Sequence, residues 1–370
     1  MVGAGLAGST AAAVLGQQGR SVILIDPRPE YPPVFKAEKI EPEQAEMLRK
    51  LHLLEHLLPF AGRVREVRGA YNGRIFRVTP IEQYGINYSE MVNAIRTHLA
   101  AIVQFKQARV EHIENSDDVQ RVRLAGGGAL TSRLVVLACG VSGELQAGLG
   151  LRRHVIQKDQ SVAFGFTVAR SQAQPFDFDA LTYYAGGSDA QIDYLSLFRF
   201  RDTMRANLFA FRRGADPWVR QFIKEPTPML KRYLPKLRRV LGDFNVVSPV
   251  EFGHIDFYRM EGDPQPGVVL IGDAFQNVCP STAMGLSKIL TDVDVLCLEC
   301  VPVWFATPGM ERDKIVSFYN SPRKQATDAR AIQSARYRRR ASTDRSFRWR
   351  IHRIRLRLRM RFARTVSGGR

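Results

Sequence analysis

The chain has 370 residues, of which 45% are hydrophobic and 24% charged, and its formal net charge is +18. That length exceeds one ordinary core, so two closely packed lobes and a tail are expected, and no apolar run is long enough to cross a bilayer. Four cysteines make no disulfide framework in a chain of this size, and a glycine motif at the very start leaves no secretory leader pattern, so a cytoplasmic protein is expected.

The first element is Gly3-Ala4-Gly5-Leu6-Ala7-Gly8, a Gly-x-Gly-x-x-Gly turn. Its first glycine permits a tight turn, its second lets backbone approach a pyrophosphate, and its third lets a helix pack closely on its strand. An alanine-rich helix over 9–18 and a buried strand over 21–25 ending at Asp26 complete the unit. Asp26 lies about twenty residues beyond the last glycine, where a carboxylate accepts the hydroxyls of an adenosine ribose and disfavours a 2′-phosphate, which argues against NADP. Only Met1 and Val2 precede Gly3, whereas a central strand runs to about five residues. The strand reads as clipped, through an upstream truncation or as a tolerated stub.

A proline-rich loop over 27–33 follows, then an amphipathic helix over 43–58, a hairpin over 64–78 turning at Asn72-Gly73, and a helix from Ser89, as N-cap, to about residue 100. Three short alternating segments turn at 115–118 and 126–128, the triple glycine being a turn because no helix follows it, and 134–138 reads as a buried strand. From 163 to 247 the pattern is strand-rich and aromatic, interrupted by a helix over 217–224, and it is the candidate for a lobe covering the reacting end of a cofactor.

The apolar strand 267–271 ends at Gly272-Asp273 and leads through the turn Pro280–Gly285 and Leu286 into a long helix reaching about Cys300. A carboxylate at such a strand end can accept hydrogen bonds from ribityl hydroxyls, which a flavin carries and NAD lacks. The turn aims backbone N–H groups and a helix N-terminus at one point, suited to the negative charge that develops at flavin N1/O2 on reduction. With the fingerprint, this indicates one bound FAD. Cys297 and Cys300 read as core thiols rather than redox or metal groups.

The order of fingerprint, acid-ended second strand, Val135-Val136-Leu137-Ala138-Cys139-Gly140, and Gly272-Asp273 with Pro280 and Gly285 resembles the FAD-dependent monooxygenases of the p-hydroxybenzoate hydroxylase type, related to geranylgeranyl reductases and flavin-dependent halogenases. The resemblance implies an α/β fold: a three-layer FAD-binding Rossmann-like domain of the glutathione reductase type, a mixed β-sheet substrate domain and a basic helical C-terminal tail. Residues 1–62, 85–160 and 253–320 would form the FAD-binding domain, 63–84 and 161–252 the substrate domain, and 321–370 the tail.

The same resemblance implies that Gly3, Ala4, Gly5, Leu6, Ala7, Gly8 and Asp26 hold the ADP half, that Lys36 stands where the group often has a flavin-contacting arginine, and that Gly272, Asp273, Pro280, Gly285 and Leu286 hold the ribityl and flavin portions. Asp292 matches the acid of the group's closing Asp-Ala pair, with Val293 replacing the alanine. Three departures stand out: Cys139 replaces the aspartate of a mid-chain Asp-Gly motif, Gln276 the usual histidine, and Ala283 the first glycine of the flavin loop. The first leaves open whether NAD(P)H is the electron donor. None of Trp218, Trp304 and Trp349 sits in the halogenase Trp-x-Trp-x-x-Pro signature.

The resemblance implies a monooxygenase hydroxylating or epoxidising a small hydrophobic organic substrate through a flavin C4a-hydroperoxide. The alternatives are a reductase or dehydrogenase of the geranylgeranyl-reductase kind, and an inactive flavin-fold member acting as a binding module. No metal site is expected, and no catalytic residue is assigned: Tyr183, Tyr184, His254 and Tyr258 are candidates, with an ordinary hydrogen-bonded histidine the better reading of His254.

Residues 321–370 carry most of the positive charge, and over 337–364 arginine alternates with Ile, Leu, Met and Phe. The segment fits a solvated or core-docked basic helix, an anionic membrane surface at the inner face of the membrane, or, least favoured, nucleic acid.

Overall fold

The computed structural model describes residues 1–171, 174–185 and 191–363; the last residues of the arginine-rich segment, from Arg364 on, lie outside these. Strand Ile23–Asp26 pairs in parallel with Gln104–Gln107, and Val135–Leu137 with Val268–Leu270. Val2 joins the two pairs, lying parallel to both Ile25 and Leu137. Its N–H donates to Val136 O at 2.9 Å, Ala138 N–H donates to Val2 O at 2.8 Å, and Gly3 N–H donates to Ile25 O at 2.8 Å. The two-residue stub thus fills the centre of the sheet, its short ladder held from both sides.

Helices Leu6–Gln17, Tyr88–Leu99 and Gly285–Val293 cover one face of this parallel sheet, and the antiparallel strands Val110–Glu114, Gln120–Leu124 and Ala129–Ser132 cover the other. The result is the expected three-layer arrangement. Ala11, Ala12 and Ala13 have no exposed surface, because small side chains let the first helix lie close to its sheet.

The second sheet has nine strands among the described residues, in the order Phe244–Val246, Arg152–Arg170, Thr203–Ala210, Ile192–Phe200, Ala180–Tyr184, Gly62–Tyr71, Arg74–Gly85 and Lys39–Ile40, with Glu251–Glu261 also paired to Arg152–Arg170. It is mixed: Ala180–Tyr184 runs parallel to Gly62–Tyr71 and the other pairings are antiparallel. Alternation divides its faces. Phe164 and Phe166 point to a core under helices Pro217–Lys224 and Pro226–Tyr233, whereas Ala163, Tyr194 and Phe209 gather with Phe35 on the side of the nucleotide lobe.

Several elements depart from the sequence expectations. The helix expected over 43–58 is two, Pro42–Lys50 and Leu54–Leu57, broken where His52 takes a positive φ of 56°. Helix Tyr88–Leu99 starts two residues earlier than expected, its N-cap is Asn87 rather than Ser89, and no side chain caps it. The stretch 163–247 holds helices Pro226–Tyr233 and Arg238–Leu241 besides Pro217–Lys224. The helix after Gly285 continues beyond Cys300 to Phe305, with a π-helical segment at Asp294–Cys300. Pro302 supplies the reason: its ring would clash with the carbonyl four residues back in a regular helix, and the wider turn just upstream makes room.

The basic segment is helical, as expected. Pro322–Thr343 packs through Lys324, Asp328, Ala331 and Ala335, and Phe347–Phe362 folds back against the Gly62–Gly85 hairpin with Met360 buried. Among the described residues no helix is long and apolar enough to cross a membrane.

Phe222 is 1% exposed and packs 4.6 Å from the Phe164 ring and 5.3 Å, stacked, from Trp218. Phe222→Ala is expected to cost about 3–5 kcal/mol, read as a lower denaturant midpoint, while leaving cofactor contacts untouched.

Candidate active site

The fingerprint turn is held so tightly that its first and third glycines admit no substitution. Gly3 sits at φ +94°, and a Cβ on Gly8 would lie 1.9 Å from the Gly3 carbonyl oxygen. A Cβ on Gly5 would meet nothing nearer than Tyr31 at 3.8 Å, so that side of the turn is open to a ligand. The helix behind it has neither a capping side chain nor an acid in its first turn, leaving backbone donors to be satisfied by an anion. This cradle fits a diphosphate.

Asp26 ends the second strand almost completely buried, its Oδ2 accepting Ala4 N–H at 2.9 Å and its Oδ1 accepting Arg28 N–H at 2.9 Å. The carboxylate therefore closes the turn itself and has lone pairs left for a ribose. Sequence reasoning missed its partners on helix Tyr88–Leu99. Arg96 donates from Nε to Ala4 O at 2.8 Å and from Nη1 to the carbonyls of Arg28 and Pro29. Asn93 makes a reciprocal pair with the Tyr31 backbone, at 2.8 and 3.0 Å. Burial lowers the Arg96 pKa, while the Asp26 charge, 3.8 Å away, works to raise it. Nothing but helical spacing marked these residues in the sequence.

The second motif arrives against the first. Gly272 has φ +60°, and a Cβ there would come within 3.0 Å of Ala7 Cβ. Asp273 follows with its side chain partly exposed, 3.8 Å from Lys36 Nζ, and its carbonyl accepts the Tyr258 hydroxyl at 2.7 Å. Lys36 also lies 5.3 Å from the Tyr88 ring centre. The structure thus gathers Gly3–Gly8, Lys36 and Gly272–Asp273 around one cleft, with Cys139 tied alongside through Gln146, which also donates to Ala274 O at 3.2 Å.

Behind the cleft lies a buried ionic quartet. Asp292 Oδ2 accepts Gly272 N–H at 2.8 Å and pairs with Lys288 at 2.8 Å; its other oxygen pairs with Lys324 at 2.8 Å. Asp328 completes the group at 3.3 Å from Lys288 and 3.1 Å from Lys324. Burial alone would raise the Asp292 carboxyl, but the two ammonium groups outweigh it and hold it below its ordinary value. The two carboxylates likewise overcome burial at Lys288 and raise it.

The turn Pro280–Thr282 is followed by Ala283 in the left-handed region at φ +56°, which explains physically why a glycine suits this position. Gln44 donates to Ala283 O and to Ser287 Oγ, both at 2.9 Å, and the Tyr194 hydroxyl reaches down from the sheet to Ser281 O at 2.9 Å. A Cβ on Gly285 would meet nothing within 4 Å, and no side chain caps the helix it starts, while Leu286 is buried beneath.

Next to Lys36, Phe35 presses on Gly165, where a Cβ would come 2.4 Å from the ring. Glu38 receives Arg205 through both carboxylate oxygens at 2.8 Å and Asn207 at 2.8 Å, and Arg205 also pairs with Glu251. Burial raises the Glu38 carboxyl in spite of these donors. This second buried network was not foreseen.

The tyrosine and histidine candidates are dispersed. The Tyr183 hydroxyl accepts Gly73 N–H at the hairpin turn, and His254 pairs with Asp159 at 2.9 Å on the far side of the sheet. Tyr258 reaches the cleft through Asp273, and Tyr184 lies with Tyr194.

A family model described as an FAD binding domain matches residues 1–303. No curated protein sequence matches the chain. Among solved structures, p-nitrophenol 4-monooxygenase from Pseudomonas putida aligns with a TM-score of 0.73 at 16% identity, over 98% of this chain and 93% of that one. HpxO of Klebsiella pneumoniae, complexed with FAD and uric acid, aligns at 0.73 and 17% identity over 96% and 92%. The halogenase PltM aligns at 0.71 and 15% identity over 92% and 75%. These likenesses establish a shared fold.

Three outcomes follow from this geometry. Gly8→Ala purifies without bound FAD, read from its visible absorbance, because the Gly3 carbonyl cannot retreat. Ala283→Gly is stabilising by about 0.5–1 kcal/mol in chemical denaturation, since roughly 1–2 kcal/mol of left-handed strain is relieved against about 0.4–1 kcal/mol of added chain entropy. Asp292→Asn costs about 3–5 kcal/mol by leaving two buried ammonium groups with one carboxylate. The contribution of Asp292 is present above its ordinary value of 3.8 and is lost as pH falls through its lower folded value, so wild type and variant converge only in that acid range.

Proposed function

The chain belongs to the FAD binding domain family, with FAD as its cofactor, and from that premise we propose that it is a flavin-dependent monooxygenase acting on a small, largely apolar ring compound. The observation that carries this reading is the convergence of the fingerprint, Lys36 and Gly272–Asp273 on one cleft roofed by a sheet face that bears aromatic side chains.

In this reading the backbone of Gly3–Gly8 binds the diphosphate and Asp26 the adenosine ribose. Asp273, held by Tyr258 and Lys36, would take the ribityl hydroxyls, and the uncapped amides of Gly285 and Leu286 would offer donors to the negative charge a flavin gains on reduction. A reduced flavin bound there would supply the two electrons that activate dioxygen, one oxygen atom passing to the substrate and the other leaving as water. The chain's residues position both partners and keep water from the ring. Tyr194, fixed to Ser281 O, lies 6.4 Å from the ring of Tyr184, which lines a cavity of about 840 Å³ with Phe76, Tyr337, Leu356 and Met360. That volume suits a small organic molecule.

Polar side chains also line the cavity, among them Arg77, Gln333, Arg338 and Asp193. Arg338 pairs with Asp193 at 3.1 Å and lies 5.0 Å from the Tyr194 ring centre. Burial raises the Asp193 carboxyl even though Arg338 and Ser342 act to lower it. An oxygen substituent of the substrate would dock here with its ring turned toward Tyr194. The neighbouring structures support a small ring compound bearing oxygen substituents: one is named for p-nitrophenol, one holds uric acid, and a third is named a 2-methyl-3-hydroxypyridine-5-carboxylic acid oxygenase.

Purified protein is expected to be yellow and to release FAD on denaturation. Reduced chemically and mixed with isotopically heavy dioxygen and a panel of phenols and hydroxylated heterocycles, it is expected to yield a product carrying one heavy oxygen atom. Turnover that persists without oxygen would replace this reading by hydride transfer. Protein that stays colourless after incubation with FAD would remove the redox reading altogether.

A further inference from the structure

The terminal helix Phe347–Phe362 contains seven arginines, one histidine and no acidic residue, and its side chains are sorted on three strips. One strip docks: Met360 is 7% exposed against the hairpin, Leu356 lines the cavity, Trp349 packs 5.7 Å from Tyr337, and Arg74 donates to Arg361 O at 3.2 Å. The opposite strip holds Phe347, Ile351, Ile354, Leu358 and Phe362, in steps of four, three, four and four, which fall within about 80° of one another around the helix. It faces outward: Phe347 is 77% exposed, Ile354 52%, Leu358 46% and Phe362 70%. Arginines line both flanks of that apolar ridge, Arg348, Arg355 and Arg359 on one side and Arg350, Arg357 and Arg361 on the other.

We propose that this face lies flat on an anionic lipid bilayer, with the apolar ridge inserted among the acyl chains near the headgroups and the two arginine rails on lipid phosphates. The placement of charge decides between occupants. A helix built for nucleic acid would turn its arginines outward and has no use for two phenyl rings and three aliphatic side chains at the centre of the contact. A bilayer surface offers an apolar interior behind a layer of phosphates, and long arginine stems reach that layer while their ring and aliphatic neighbours go deeper. The helix is anchored from behind, by Met360 and by the Tyr337 hydroxyl, which lies 2.9 Å from His352, so lipid contact requires no unfolding. The proposal is independent of the flavin reading, since attachment needs no turnover.

Full-length, FAD-loaded protein is tested by co-sedimentation with vesicles of phosphatidylcholine alone or mixed with phosphatidylglycerol. About tenfold or tighter binding to the anionic vesicles is expected. Phe347→Ser with Phe362→Ser, and separately Arg348→Gln with Arg355→Gln and Arg359→Gln, should each weaken that binding about tenfold or more while flavin content and melting temperature hold, which separates lipid contact from folding. Leu358→Trp should give fluorescence quenched by brominated lipid, whereas native Trp349, on the docked strip, should not be.

Equal binding to neutral and anionic vesicles would overturn the proposal, as would an unquenched Leu358→Trp. Duplex DNA bound as tightly as the vesicles, and still bound after the phenylalanine substitutions, would assign the helix to nucleic acid. A dimer in sedimentation velocity that the phenylalanine substitutions dissociate would assign the ridge to a second copy of the chain.

Discussion

Asp292 is the residue on which the arrangement of this molecule turns. One carboxylate fixes the amide of Gly272, pairs along its own helix with Lys288, and reaches across to Lys324 on the helix that begins the basic segment. Each of these charges is buried, so none is tolerable alone. The loop that presents Asp273 to the cleft is therefore in register with the helix after Gly285 and with Pro322–Thr343 at once. The same long helix carries Arg338 to Asp193 at the cavity, so the basic segment is built into the body of the fold and is no appendage.

The legible part of the sequence was the part where backbone geometry constrains residue type. Gly3 and Gly8 are glycines because a positive φ and a close carbonyl permit nothing else, and Gly272 is squeezed against Ala7 in the same way. Such constraints are local, and motif spacing reveals them. The hairpin at Asn72-Gly73 and the helix Pro217–Lys224 were legible for the same reason. What escaped notice is set by partners distant in the chain. Arg96 looks like any helical arginine until Ala4 is placed beside it, and Glu38 gains its meaning from Arg205 and Asn207 on another lobe. The break at His52 and the N-cap at Asn87 are details of chain direction that an amphipathic pattern does not encode.

The departures from the resembled family's pattern also have physical readings. Ala283 keeps the left-handed turn at some conformational cost and is retained by Gln44. Gln276 is fully buried and donates to Asp328 O, beside the ionic quartet. Cys139 packs near Tyr258 with its thiol pushed up by burial, which leaves no charge where the family's motif has an aspartate. In the proposed reading the cleft would hold its cofactor chiefly through backbone amides and through Asp26, Lys36 and Asp273.

The wide turn at Asp294–Cys300 sets the phase of everything beyond it. It directs Asp294 toward Lys50 and Arg323 while Cys297 faces the first helix. A helix of this kind absorbs one surplus residue as a bulge. Removing a single residue from the segment would restore the ordinary pitch and swing the following stretch by roughly a quarter of a revolution, parting Trp304 from Ser317. Chain length here is thus fixed to the residue, and indels in related sequences should avoid this segment and accumulate in the surface turns instead.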